Sequence, residues 1–373
     1  MDSSSTKKVT KLAVPVVLLG LLLLLSQRLP RPVMGVDGPA RLSGPAVAIA
    51  YSPNGTLLCG TSDGTLQKYV ARERRFRTFG LSGSGFSAAR TGRIEFSPDG
   101  SSVFVATPVR PASLHVLDLE TRNSLYSFIG PSDTIFDVSK DGRWAACGRE
   151  KGFIVLDLKK PLPLPSGISA NSPGRPGKNR HYYAMRRFGT NFSPVAMHFS
   201  PDSRTLAVGL PDQIALFDVL GDAKLPRVQS GMEGSSVPQQ PSAPPAAFNG
   251  IISPLWLEWS PDGSKLAVMN SSNEIAMFDP SLKKLATNIP KTPAMGSSPV
   301  ISPTGSGNLV WSPDGRSLFS GGDVVRRWSP DLQLEASYGV SGPVALSPDG
   351  KILLTSNKAA PGQYPYLLQW KIR

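Results

Sequence analysis

One short turn recurs seven times along this chain of 373 residues, and it limits the fold more than any other feature. It reads Tyr51-Ser-Pro-Asn-Gly55, Phe96-Ser-Pro-Asp-Gly100, Val138-Ser-Lys-Asp-Gly142 and Phe199-Ser-Pro-Asp-Ser203. It returns as Trp259-Ser-Pro-Asp-Gly263, Trp311-Ser-Pro-Asp-Gly315 and Leu346-Ser-Pro-Asp-Gly350. Proline presets φ, Asp or Asn accepts a bond from the backbone ahead, and glycine takes the left-handed position. An aromatic or apolar residue stands before each turn and closes a strand.

A short apolar run follows each turn: Leu57–Cys59, Val103–Val105, Trp144–Cys147, Leu206–Val208, Leu266–Val268, Leu318–Phe319 and Ile352–Leu354. Further on, a strand ends in a bulky residue and then a polar one. These ends are Leu117-Asp118, Leu156-Asp157, Phe217-Asp218, Phe278-Asp279, Trp328-Ser329 and Trp370-Lys371, with Lys68-Tyr69 as the first, weaker copy. Short strands with turn signals at near-even spacing predict an all-β chain. The repeat length predicts a seven-bladed β-propeller of four-stranded antiparallel blades over residues 40–373. The last unit carries only three strands before the chain stops. The segment around Ala40–Ser43, ahead of Ala46–Tyr51, is expected to supply the fourth and so close the ring.

These turns, with the Phe-Asp and Arg-Trp strand ends, resemble the WD-repeat β-propeller family and its YVTN-type relatives. The resemblance covers roughly residues 40–373. It implies a scaffold that presents loops and a central funnel to proteins or peptides. The chain departs from the family in one respect. No Gly-His dipeptide opens any blade, so the fold is expected to be tightened by packing more than by the family's buried His-Asp network.

Residues 12–25 are uncharged and apolar, with Lys7, Lys8 and Lys11 before them and Arg28 and Arg31 after. The run suits a signal-peptide core, or, with 12–26 as its apolar part, a short spanning helix extended from Val9 to Ser26 with Lys11 snorkelling. No small-x-small cleavage site follows, which favours an uncleaved single-pass anchor over a secreted product. Residues 1–11 then form a basic flank and 27–39 a linker. The flanking charges put the propeller outside the cytoplasm.

The net charge of +13 is uneven: Leu158 to Pro201 contains no acidic residue. A basic insertion at 161–181 lies there, followed by Tyr182 to Phe188, which reads as the outer strand of blade three. Arg175, Lys178, Arg180, Tyr182, Tyr183, Arg186 and Arg187 form a candidate surface for an anionic lipid or polymer. The anchor disfavours nucleic acid as the partner. Insertions at 230–253 and 290–307 are rich in Pro and Ser. All three insertions are expected where one blade passes to the next. Arg72, Arg74, Arg75 and Arg77 read as a solvated edge.

No catalytic or metal residue and no cofactor is expected. His115 and His198 lie in strands as packed or edge histidines, and His181 lies in the basic loop. No nucleophile elbow, Walker loop or HExxH helix occurs. The turn carboxylates Asp99, Asp141, Asp202, Asp262, Asp314 and Asp349 recur in register, so they stand far apart and serve their own turns. Cys59 and Cys147 hold equivalent places in non-adjacent blades and cannot bridge. Inner strands such as Val47–Ala50, Val195–Met197 and Leu255–Leu257 offer few polar groups, which favours binding over a hydrolase or lyase at the funnel.

Overall fold

The computed structural model describes residues 41–79, 93–107, 113–122, 124–129, 135–162, 182–190, 192–211, 213–220, 227–229, 254–270, 272–288, 307–356 and 365–372. The expected anchor and linker lie outside these residues, as do 163–181, 230–253 and 290–306. Among the described residues no helix is long and apolar enough to cross a membrane.

Each turn unit becomes one antiparallel sheet, read here from the innermost strand outward. Blade one is Ala46–Tyr51, Leu57–Thr61, Leu66–Val70 and Arg75–Thr78; blade two is Ile94–Phe96, Ser102–Thr107, Ser113–Asp118 and Ser124–Ile129. Blade three is Phe136–Val138, Trp144–Arg149, Gly152–Leu162 and Tyr182–Gly189; blade four is Ala196–Phe199, Thr205–Leu210, Gln213–Asp218 and Arg227–Gln229. Blade five is Pro254–Trp259, Leu266–Asn270, Ile275–Phe278 and Lys284–Asn288; blade six is Leu309–Trp311, Leu318–Ser320, Arg326–Trp328 and Leu334–Ser337. Blade seven has three strands, Val344–Leu346, Ile352–Ser356 and Leu367–Lys371. Neighbouring innermost strands pack in a closed ring, with blade seven against blade one.

The core lies between sheets. Strand alternation gives every sheet two apolar faces, and one sheet cannot cover either. Between blades three and four, Trp144, Phe153 and Phe188 meet Met197, Phe199 and Phe217. The Phe153 and Phe188 rings stack at 4.8 Å, and Phe217 meets Phe153 edge-on. Ala48, Leu58 and Leu66 meet Ile94, Val103 and Leu117 between blades one and two. Cys59 is buried and Cys147 half-buried, and both are free thiols within second strands. Burial pushes the Cys147 thiol up to about 12.

The recurring turn works through its serine as much as its proline. In blade two the Ser97 hydroxyl donates to Asp99 at 2.5 Å and accepts from the Ser102 N–H at 2.9 Å, while the Ser101 N–H donates to Asp99 at 3.0 Å. Ser260 and Asp262 repeat this in blade five, and Ser347 and Asp349 in blade seven. Hydrogen bonds from serine hydroxyls and backbone N–H groups hold these carboxyls below the usual range, Asp262 at about 2. The turns also interlock. A Cβ on Gly142 (φ +68°) would sit 2.9 Å from the Pro98 ring, and one on Gly350 the same distance from Pro313. In blade four Ser203 replaces glycine, and its hydroxyl accepts from the Asp141 N–H at 3.2 Å. At the joint between blades seven and one, nothing lies within 4 Å of such a Cβ on Gly55.

Ring closure follows the expected course in reduced form. Arg41 makes a single antiparallel bridge with Tyr366, and the Leu42 N–H donates to the Pro365 carbonyl at 2.9 Å. Leu42 is buried among Ile49 and Phe76 of blade one and Leu354 and Leu367 of blade seven.

Strand direction defines two rims. The seven turns and the links from third to outermost strands lie on one, the turn rim. The blade-to-blade connections lie on the other, the loop rim. The basic insertion therefore departs from expectation. It joins the third strand of blade three, which itself contains Pro161 and Leu162, to the outermost strand from Tyr182. It springs from the turn rim, whereas 230–253 and 290–306 spring from the loop rim.

Candidate functional site: the hub

Side chains two apart on a strand share a side. The residue before each innermost strand's last apolar residue is Ala50, Glu95, Asp137, His198, Glu258, Val310 or Ala345. Four consecutive blades thus present a polar group at one register, which corrects the expectation of inner strands poor in such groups.

Arg93 joins them. It stands two residues before Glu95, and its guanidinium pairs with Glu95 at 2.6 Å and with Asp137 of blade three at 2.8 Å. The same group donates to the Met197 carbonyl of blade four at 2.8 Å and lies 5.0 Å over the Trp256 ring of blade five. A side chain that touches four successive blades must lie in the space their inner edges enclose. The Arg93 side chain is 12% exposed and that of Asp137 2%.

The other partners run from blade to blade. Asp137 also accepts from the Phe199 N–H at 2.5 Å. His198 Nδ1 accepts from the Trp259 N–H at 3.2 Å, which leaves the ring proton on Nε2, 3.6 Å from Glu258. Glu258 accepts from Trp256 Nε1 at 3.2 Å. Two carboxyls thus share one guanidinium, and Glu258 lies within reach of its field. Burial raises the Glu258 carboxyl to about 8 against the opposing pull of Arg93, and burial likewise raises Asp137. Burial lowers Arg93, but Asp137, Glu95 and Glu258 outweigh it and hold the guanidinium above its ordinary value. His198 is held well below its usual range by burial and then by Arg93, so it is neutral.

Chemically, the hub can hold and share protons. Both oxygens of Asp137 and the acceptor nitrogen of His198 are already engaged. Among the described residues no three His, Cys, Asp or Glu side chains converge as metal ligands. His115 is half-buried, and burial lowers it too.

The basic surface expected from the sequence lies elsewhere. Tyr182, Tyr183, Arg186 and Arg187 are on the outermost strand of blade three. Arg186 and Arg187 are exposed, and Arg186 donates to the Val219 carbonyl of blade four at 2.9 Å. Arg175, Lys178, Arg180 and His181 lie outside the described residues. Among Arg72, Arg74, Arg75 and Arg77, all exposed, Glu73 pairs with Arg75 and Arg77 at 2.6 Å each.

Comparison with known proteins agrees with this geometry. A family profile described as WD domain, G-beta repeat, matches residues 39–69. That is the blade whose loop-rim turn ties Ser43, Thr61, Asp63 and Thr65 together through their side chains. No curated protein matches the chain in sequence. Among solved structures, a chain in the crystal structure of the mitotic checkpoint complex is similar, with a TM-score of 0.60 and 15% identity. The match covers 92% of this chain and 92% of that chain, and at this identity it is a likeness of fold.

Proposed function

The chain is a seven-bladed β-propeller whose first blade matches a WD-repeat model, and from that premise we propose a membrane-tethered, non-catalytic scaffold of the WD-repeat kind. It binds protein or peptide partners through its rim loops and the mouth of the hub. The observation that carries this reading is the state of the hub. Arg93, Asp137 and His198 spend their bonding capacity on neighbouring blades. The surface left for recognition is the pair of rims, where a rigid ring holds loops in fixed relative places and lowers the ordering cost of binding. The apolar run at 12–25, between Lys11 and Arg28, supports the tether. Its flanking charges favour a propeller outside the cytoplasm.

The test is purification of the full chain from its own membranes in detergent. The expected result is alkali-resistant membrane association and a stoichiometric partner, lost when 230–253 is deleted and the fold is kept. Release from membranes by alkali would end the tether. A full chain that purifies without a partner would count against the scaffold.

One observation favours a second reading, an enzyme at the funnel. Glu258 and His198 meet at 3.6 Å from two blades, and burial raises the Glu258 carboxyl to about 8. Turnover in a hydrolase and lyase substrate panel that disappears in Glu258→Gln, with folding intact, would establish it.

A further inference from the structure

Among the described residues, blade seven differs from the other six in having three strands. Its third strand, Leu367–Lys371, is therefore an edge. The incoming chain covers only the loop-rim end of that edge, through the Arg41–Tyr366 bridge. Two hydrogen bonds fix what the edge shows. The Leu42 N–H donates to the Pro365 carbonyl at 2.9 Å, and on the inner side the Ile372 N–H donates to the Lys351 carbonyl at 2.8 Å. Antiparallel bonds alternate along a strand, and both observations give the same parity. Leu368 and Trp370 spend their backbone groups inward, while Leu367, Gln369 and Lys371 turn theirs outward. No described strand lies beyond Gln369 and Lys371.

Such an edge accepts one more antiparallel strand. Opposed residues share a face, so the register dictates the side chains of a guest. Opposite Trp370, a guest residue lies over Leu368 and Ile372, both half-buried and packed with Tyr338 of blade six. Opposite Gln369, it lies on the side of Leu367, toward blade one, where half-buried Tyr69 meets Phe76 at 5.4 Å. Opposite Lys371, it meets an exposed ammonium, whereas the nearby Lys351 already has Asp349 at 3.8 Å. Read from its start at the turn rim, the guest is acidic, then apolar three times.

The chain's own residues do not match this pattern. Carried on in the register of the Arg41–Tyr366 bridge, Val36 would meet Lys371, and Asp37 would face Leu368 and Ile372. Gly38 would leave Tyr69 uncovered, and Pro39 would stand opposite Leu368. Asp, Gly and Pro are also poor strand residues.

We propose that the open edge of blade seven takes an extended segment of a partner protein as its fourth strand, an acidic residue followed by three apolar ones. This surface is the outer edge of the wheel, apart from both rims and the hub. It needs neither the tether nor the rim loops.

The probe is a fluorescent peptide, Thr-Glu-Val-Phe-Val-Thr, titrated onto the purified full chain and followed by anisotropy. Binding is expected. Methylating the Phe nitrogen should weaken it about tenfold, because that N–H meets the Gln369 carbonyl. Methylating the nitrogen of the Val before it should change little, because that N–H faces water. Gln369→Pro removes only an outward N–H and should cost a similar factor of about ten with folding intact. Lys371→Glu should weaken the peptide about fivefold and reverse the preference between it and a version with Lys in place of Glu. If Gln369→Pro unfolds, the methylated peptides carry the test. Absence of binding, or equal loss from the two methylations, overturns the proposal. Binding that appears only after residues 36–40 are replaced by Gly and Ser overturns it in favour of the chain's own segment. Self-association of the full chain that Gln369→Pro abolishes overturns it in favour of a second copy.

Discussion

Replacing Arg93 with alanine should be among the most damaging single changes outside the apolar core. The guanidinium holds Glu95 at 2.6 Å, Asp137 at 2.8 Å and the Met197 carbonyl at 2.8 Å. Its loss strands Asp137, whose side chain is 2% exposed, without a countercharge. Removing one partner of a buried pair costs about 3–5 kcal/mol, against a total stability of about 5–15 kcal/mol for a typical domain. The cost must depend on pH. Arg93 pulls the Asp137 and Glu258 carboxyls down toward ionisation, so its absence matters least where both are protonated. Urea unfolding followed by tryptophan fluorescence should show a larger loss at pH 8 than at pH 5. Asp137→Asn placed on top should restore about half of it, since the stranded charge is then gone. A loss below about 1 kcal/mol, the range of an exposed pair, would refute the keystone role. A loss larger at pH 5 than at pH 8 would do the same.

Glu258→Gln tests the linkage directly. The folded-state value of about 8 lies above the ordinary 4.5, so the group's stabilisation is complete at low pH and is lost as pH rises through about 8. The wild-type melting temperature should therefore fall between about pH 4.5 and about 8, and the variant should fall less and be about 1 kcal/mol or more the stabler above that window. Gly142→Ala meets both a positive φ and Pro98 at 2.9 Å, whereas Gly55→Ala meets only the φ of +84°. Denaturant midpoints should show about 1–2 kcal/mol lost at Gly55 and clearly more at Gly142. Leu42→Ala, at a side chain 2% exposed, should cost about 2–5 kcal/mol in the same assay.

The blades were readable because their signal is local. A turn needs its own five residues, and a strand its own alternation. Sequence reasoning weighed Pro, Asp and Gly and passed over the serine, whose two hydrogen bonds knit the turn to the next strand. Glu95, Asp137, His198 and Glu258 were also legible in principle, since aligning the seven turns puts them in one column. Arg93 was not, because its role depends on how far the ring curves. The basic insertion was misplaced for a local reason. Pro161 reads as a loop residue, yet it pairs with Tyr183 in a strand that overshoots its neighbours. Tyr182–Phe188 was placed correctly as the outer strand of blade three.

The unfilled space at Gly55 sits where the two ends of the propeller meet, around Leu42 and the Arg41–Tyr366 bridge. At six of the seven joints the preceding blade comes within 4 Å of where a Cβ on the turn glycine would sit, or bonds the turn directly as Asp141 does Ser203, and at this one it does not. A wheel whose closing joint is held by Leu42 and one bridge in place of a turn contact has a preset place to crack. Amide protons of Ala46–Tyr51 and Val344–Leu346 should then exchange through partial opening well before those of blades three to five. A pull on the chain ahead of Arg41 would be delivered straight to that crack.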